Sequence, residues 1–226
     1  MEDNELNREV AAEIIGMTGA EIEVSNDRYF RTSELLCCLT DTPRTNLNYY
    51  YPKISRPYRY VRFTPPPPAY STADCRAEVA ELAFFDNVDS EEHLPSKAIY
   101  GGGPVDENPA HDIDKACDDD WLTFYYSSGP RDSIVFDLQR ASTIKKILFV
   151  PRNDDNFITP GNVYELFYQS GVKGWISLGV QTATTNELIY RNIPEGALLW
   201  LRNLTRGKEE QVFYVEDGEQ KFVGYE

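Results

Sequence analysis

The sequence predicts an all-β protein built from antiparallel strands, and three observations carry that prediction. Apolar segments of strand length recur at short spacing, about 8 to 12 residues apart, as in sandwiches and barrels. Turn signals separate them, in SSGPRD, TPGN, GVKG, IPEG and EDGE. Amphipathic helical windows are scarce. The one helical hint, ELNREVAAEIIGM from Glu5 to Met17, is short, and no βαβ alternation follows it.

Taken in order, YRYVRF (Tyr58 to Phe63) reads as a strand. TPPPPAYSTAD follows it, and its prolines 65 to 68 cannot sit in a helix or a central strand, so the stretch is an extended loop. AEVAELAFF (Ala77 to Phe85) has a composition open to helix, but strand is the reading adopted. DNVDSEEHLPSK (Asp86 to Lys97) has no apolar period and is rich in charge and turn-formers. A domain boundary is therefore expected there, giving units 1–92 and 93–226. Beyond it, strands are expected at Ser133–Leu138, Lys145–Val150, Tyr164–Gln169, Trp175–Val180, Leu188–Ile193, Leu198–Leu204 and Val212–Val215. A last one follows the Asp217-Gly218 turn. Ser133–Leu138 is the clearest: Ile134, Phe136 and Leu138 alternate with Val135 and Asp137, as a half-buried strand requires.

Bulk properties narrow the function classes. With 226 residues, 41% hydrophobic and 26% charged, the chain can bury a core. A net charge of −15 disfavours phosphate backbones and anionic lipid, since both are bound through lysine and arginine. No nucleic-acid partner and no membrane insertion are expected. There is no apolar run near 18 residues, and residues 1–30 lack the basic-then-apolar pattern of a secretory signal. Cys37, Cys38, Cys75 and Cys117 show no CxxC spacing and read as buried thiols. Aromatic residues, 13% of the chain, suit strand packing and also suit surfaces that stack on sugars or peptides.

The richest stretch runs from Asp112 to Leu138, DIDKACDDDWLTFYYSSGPRDSIVFDL. Between Asp106 and Asp120 there are seven carboxylates against one lysine, a density that self-repulsion opposes unless solvent or a cation offsets it. KACDDDWLTFYYS followed by IVFDL resembles the A-x-D-G-D-x-x-T-x-[WF] loop and strand of the discoidin-like, galactose-binding-like β-sandwich. That fold is shared by coagulation-factor C-type domains and many carbohydrate-binding modules. ILFVPRNDDNFITPGNVYELFYQSGVKGWISLG is similar to the strand, ligand-facing loop, strand and Trp-bearing hairpin of the same modules. PRNDDN, GALLWLRNLTRGKEEQVF and DGEQ look like discoidin-type regions of Bacteroidetes surface and secreted proteins. A fainter likeness covers IEVSNDRYFRTSELLCCLTDTP, YRYVRF and CRAEVAELAFFD, which look like the closing half of a similar sandwich. The resemblance implies a jelly-roll-like β-sandwich over 93–226, preceded by a smaller or partial sandwich unit over 1–92. It also implies a periplasmic, cell-surface or extracellular location. The pattern departs at Asp119, where the family has glycine.

Two candidate sites follow. The resemblance implies a structural calcium held by Asp118, Asp120 and Thr123, with Glu209 or Glu210 adding a carboxylate, and oxygen-only ligands suit that ion. The other reading of the same loop is a solvated acidic turn. An EF-hand is excluded, because counted from Asp112 the sixth position is Cys117 and the twelfth Thr123. The loop Arg152 to Asn156 offers a guanidinium, carboxylates and amides, the donor and acceptor set that reads sugar hydroxyls. Arg152, Asn153, Asp155 and Asn156 are the expected sugar contacts, with Trp121 or Tyr125 as a stacking ring. The plainer alternative is a turn that caps its own backbone. Trp175 and Trp200 read as core. No catalytic residue is expected: His93 and His111 are the only histidines, and neither has a nucleophile motif beside it. The leading expectation is a non-catalytic module for glycans or glycoproteins, part of a larger secreted or surface protein. The competing one is an accessory unit packed on an upstream catalytic domain of transglutaminase-like or hydrolase type.

Overall fold

The computed structural model describes residues 17–43, 47–67, 75–104, 108–153, 157–185, 187–209, 212–216 and 219–223. They form an all-β protein of three antiparallel sheets, and the chain divides into two compact units, Leu6–Asn156 and Phe157–Glu226. The N-terminal unit holds β1 (Glu21–Ser25), β2 (Glu34–Cys38), β3 (Asn48–Tyr50), β4 (Tyr58–Thr64) and β5 (Glu78–Phe85). It continues with β6 (Lys97–Tyr100), β7 (Tyr125–Tyr126), β8 (Ile134–Ser142) and β9 (Lys146–Pro151). One sheet runs in the order β2-β1-β4-β8-β6 and the other in the order β3-β9-β5-β7.

The two sheets share one apolar core and so form a sandwich-like pair. Ile22, Val61, Phe63, Ile134, Phe136 and Leu138 from the first meet Val79, Leu82, Phe84, Ile147 and Phe149 from the second. Phe63 stacks on Phe149 with ring centroids 5.6 Å apart, and Phe84 meets Phe136 edge-on at 5.6 Å. These inward residues are the alternating apolar positions of their strands, with an irregularity between Val79 and Glu81 shifting the alternation on β5. β5 differs, because all eight of its residues are buried. Its outer face, Ala80, Ala83 and Phe85, lies under a second cluster with Leu148, Val150, Leu47, Trp121 and Phe124.

The boundary expected at residues 92 and 93 is corrected. β4 pairs with β8, placing Val61 opposite Phe136 and Phe63 opposite Ile134, and β5 pairs with β9, placing Leu82 opposite Phe149. Arg59 reinforces the first pairing with a bidentate contact to Asp137 at 2.8 and 2.9 Å. The polar stretch 86–96 is therefore a connection from β5 to β6, inside one unit and between its two sheets. It lacks an apolar period because it is a surface loop. Composition alone does not distinguish such a loop from a linker.

The C-terminal unit is one sheet of β10 (Val163–Gln169), β11 (Trp175–Thr182), β12 (Leu199–Asn203), β13 (Lys208–Glu209), β14 (Phe213–Glu216) and β15 (Glu219–Phe222). The order is β11-β10-β12-β14-β15, with β13 on β12. The strand expected at Leu188–Ile193 is absent; that segment is held instead by Gln181 Nε2 donating to the Ile189 carbonyl at 2.8 Å. Tyr164, Leu166, Leu199 and Asn203 share a buried face. On β11 a bulge inserts Gly179, whose φ of 112° favours glycine. The helical hint lies outside the described residues except for Met17, which is buried in the core. Among the described residues the helices are short 3-10 turns.

Cys37, Cys38 and Cys117 are free thiols, and burial pushes the Cys37 thiol up to about 12. In a fragment 97–226, β8 keeps only the short β6 and β9 loses β3 and β5; a lone strand pair is marginal in water, so the amides of Ile134–Ser142 there should exchange as an unfolded chain. In a fragment 1–156 they should be protected. Hydrogen exchange read by NMR checks this, and protected β8 amides in the shorter fragment would refute the interleaved pairing.

Candidate functional site

Two places concentrate polar and aromatic chemistry. The first surrounds the acidic turn of the N-terminal unit. Ile113–Cys117 forms a 3-10 turn, after which Asp118 becomes the hub. Its carboxylate accepts from Lys115 Nζ at 3.2 Å, from Thr123 Oγ1 at 3.0 Å and from the Asp120 N–H at 3.2 Å. The Asp120 carboxylate caps the Leu122 N–H at 3.1 Å. Asp119 has φ of 62°, the left-handed conformation that glycine adopts freely. The resemblance puts glycine at this position, and here the turn is made by aspartate, held by two contacts. Its N–H donates to Glu81 Oε2 at 2.9 Å, and its carboxylate lies 3.1 Å from His93 Nε2.

This donor set does not fit calcium as folded, for the ion wants six to eight oxygens turned to one point. The Asp118 oxygens are engaged by an ammonium, a hydroxyl and a backbone N–H. Among the described residues no three His, Cys, Asp or Glu side chains converge. Glu210 lies outside the described residues. Asp118 thus works as an internal cap.

The residues expected to contact sugar are drawn into the same assembly. Arg152 Nη1 donates to Glu78 Oε2 at 3.3 Å, with side chains only 12% and 6% exposed, and its guanidinium sits 4.7 Å from the Phe124 ring centre. Asn153 is 1% exposed and donates from Nδ2 to the Trp121 carbonyl at 2.9 Å and to the Pro151 carbonyl at 3.2 Å. Tyr125 is fully buried, with its hydroxyl donating to the Gly102 carbonyl at 2.7 Å, so its ring has no face for a sugar. Trp121 is partly buried against the outer face of β5. Asp155 and Asn156 lie outside the described residues. Arg152, Asn153 and Trp121 are therefore brought together, as a brace beneath the acidic turn. His111 stacks on Phe124, with centroids 4.6 Å apart, and belongs to the same packing.

The second place is the face of the C-terminal sheet opposite Tyr164 and Leu166, and sequence reasoning missed it by treating its tryptophans as core. Register puts Phe167 opposite both Trp200 and Ser177, Gln169 opposite Trp175, and Glu165 opposite Arg202. Trp200 lies 5.6 Å from Phe167 and 5.5 Å from Trp175 between ring centres, and the Arg202 guanidinium sits 5.2 Å from the Trp200 ring. Ser177 and Thr182, on the same face, are exposed, which makes this the solvent side of the sheet. The available signal was the alternation in YELFYQ, where Glu165 and Gln169 mark the polar face and carry Phe167 with them.

No family model, curated protein or solved structure matches this chain. No helix of the described residues is long and apolar enough to cross a membrane.

Three predictions follow from the acidic turn and its buried contact. Burial raises the Glu81 carboxyl to about 8, against an ordinary value of 4.5. Between those values the folded state holds a proton that the unfolded chain releases, so this residue's contribution falls as pH rises from about 5 to 8, by an amount on the order of 4 kcal/mol. Glu81→Gln, which keeps an acceptor for the Asp119 N–H, should melt higher than the parent at pH 9 and flatten the decline; parallel melting curves across that range would contradict it. Asp118→Ala, which removes the acceptor shared by Lys115 Nζ, Thr123 Oγ1 and the Asp120 N–H, should cost about 1–3 kcal/mol. Millimolar calcium and EDTA should give the same melting temperature in the parent, and a calcium-dependent rise would restore the metal reading.

Proposed function

We propose that the chain is a non-catalytic carbohydrate-binding or adhesion module of a larger secreted or surface protein, its sandwich of the jelly-roll-like, galactose-binding-like kind. The observation that carries this reading is the solvent-side row of Phe167, Trp200 and Trp175, flanked by Gln169, Ser177, Glu165 and Arg202. Aromatic rings cover the apolar face of a pyranose, and nearby amides, hydroxyls and charged groups select among its hydroxyls. Such an open face binds weakly, at about the millimolar level or roughly −4 kcal/mol per site. A periplasmic, cell-surface or extracellular location goes with this role.

A second reading, an accessory domain packed on a catalytic domain, is favoured by one specific observation. Arg152, Asn153 and Asp118 spend their polar groups inside the unit rather than at its surface.

A glycan array probed with multivalent protein separates the two. The first reading expects bound glycans whose signal Trp200→Ala removes while the N-terminal unit keeps its melt. Failure to retain any glycan would leave the accessory role.

A further inference from the structure

The geometry points to a single soluble chain of neutral sugars as the ligand of the C-terminal sheet, lying along the row Phe167, Trp200 and Trp175, with Gln169 accepting a sugar hydroxyl. This rests on the carbohydrate-binding reading and names its ligand class. Three observations carry it.

Gln169 Oε1 is buried and has no hydrogen-bond partner among the described residues. The residue stands opposite Trp175 and two positions along the same face from Phe167. An unmet buried acceptor is costly, and a hydroxyl held against the rings would satisfy it. The rings are also tilted, by 37° between Phe167 and Trp200 and by 53° between Trp175 and Trp200. Three rings so inclined cannot lie flush on a flat crystalline surface, but they follow one chain that twists along its length. Charge supplies the third observation. A sulfated or carboxylated glycan is bound through clustered guanidinium and ammonium groups. Here Arg202 stacks on Trp200 with Glu165 directly opposite in register, in a chain of net charge −15.

The test is an NMR titration of the full chain with hexasaccharides of neutral β-linked glucose, xylose and mannose, beside hexagalacturonate and a sulfated oligosaccharide. Pull-down on crystalline cellulose and chitin accompanies it. At least one neutral hexasaccharide should shift the indole signals of Trp175 and Trp200, saturating near the millimolar range. Trp200→Ala should abolish the shifts, and Gln169→Leu should weaken binding about tenfold, some 1.4 kcal/mol, while melting no lower than the parent. Tighter binding of the acidic oligosaccharides, or retention on crystalline polysaccharide alone, would overturn this inference and leave carbohydrate binding standing. Unchanged affinity in Gln169→Leu would overturn the role of that residue. If neither neutral nor acidic sugars shift any signal and neither solid retains the protein, the carbohydrate-binding reading fails with it.

Discussion

A strand with eight consecutive buried residues, two of them glutamates, needs partners on both faces, and much of the N-terminal unit is the means of supplying them. The inner face of β5 is met by the opposite sheet through Phe84 and Phe136. The outer face requires a cover, which the segment after the acidic turn provides through Trp121 and Phe124. Each glutamate then needs polar company, since a buried carboxyl group without a hydrogen-bond partner is expensive. Glu78 receives Arg152 and Glu81 receives the Asp119 N–H. The left-handed turn at Asp119 follows, because that conformation aims its N–H at Glu81, and Asp118 ties the turn down through Lys115 and Thr123.

The acidic turn and the loop after β9 are thus parts of one brace, and their charge is structural. A residue such as Arg152, clamped between Glu78 and the Phe124 ring, has little freedom to meet a ligand. The C-terminal sheet is arranged differently. Its buried face uses Tyr164, Leu166 and Leu199 for packing, while the other face leaves three aromatic rings on the solvent side. On the proposed reading, stability and recognition are allotted to different surfaces, so changes at one should leave the other intact.

The strands were legible in the sequence because alternation and turn chemistry are local. Tyr58–Thr64, Ile134–Ser142 and Val163–Gln169 lie within a few residues of where YRYVRF, SIVFDL and YELFYQ put them. Partnership was not legible. The pairing of β4 with β8 spans more than seventy residues, and a polar loop between sheets carries the same composition as a linker. Leu188–Ile193 has a strand-like composition but pairs with no strand among the described residues. At the site, the residue types are legible in the sequence and their neighbours in the fold are not. Arg152 and Asn153 look like ligand groups until the buried Glu78 and the Trp121 carbonyl appear beside them. Trp175 and Trp200 look like core until register sets them on the face of Gln169 and Glu165.

The most direct measurement of this division is the variant Arg152→Ala, followed by both thermal melting and sugar titration. Removing one partner of a buried ion pair strands the other, at a cost of about 3–5 kcal/mol. The account predicts a melt lowered accordingly, with the sugar affinity of the C-terminal face unchanged below that melt. Loss of sugar binding with the melting temperature of the parent would contradict it, and would return Arg152 from brace to ligand contact.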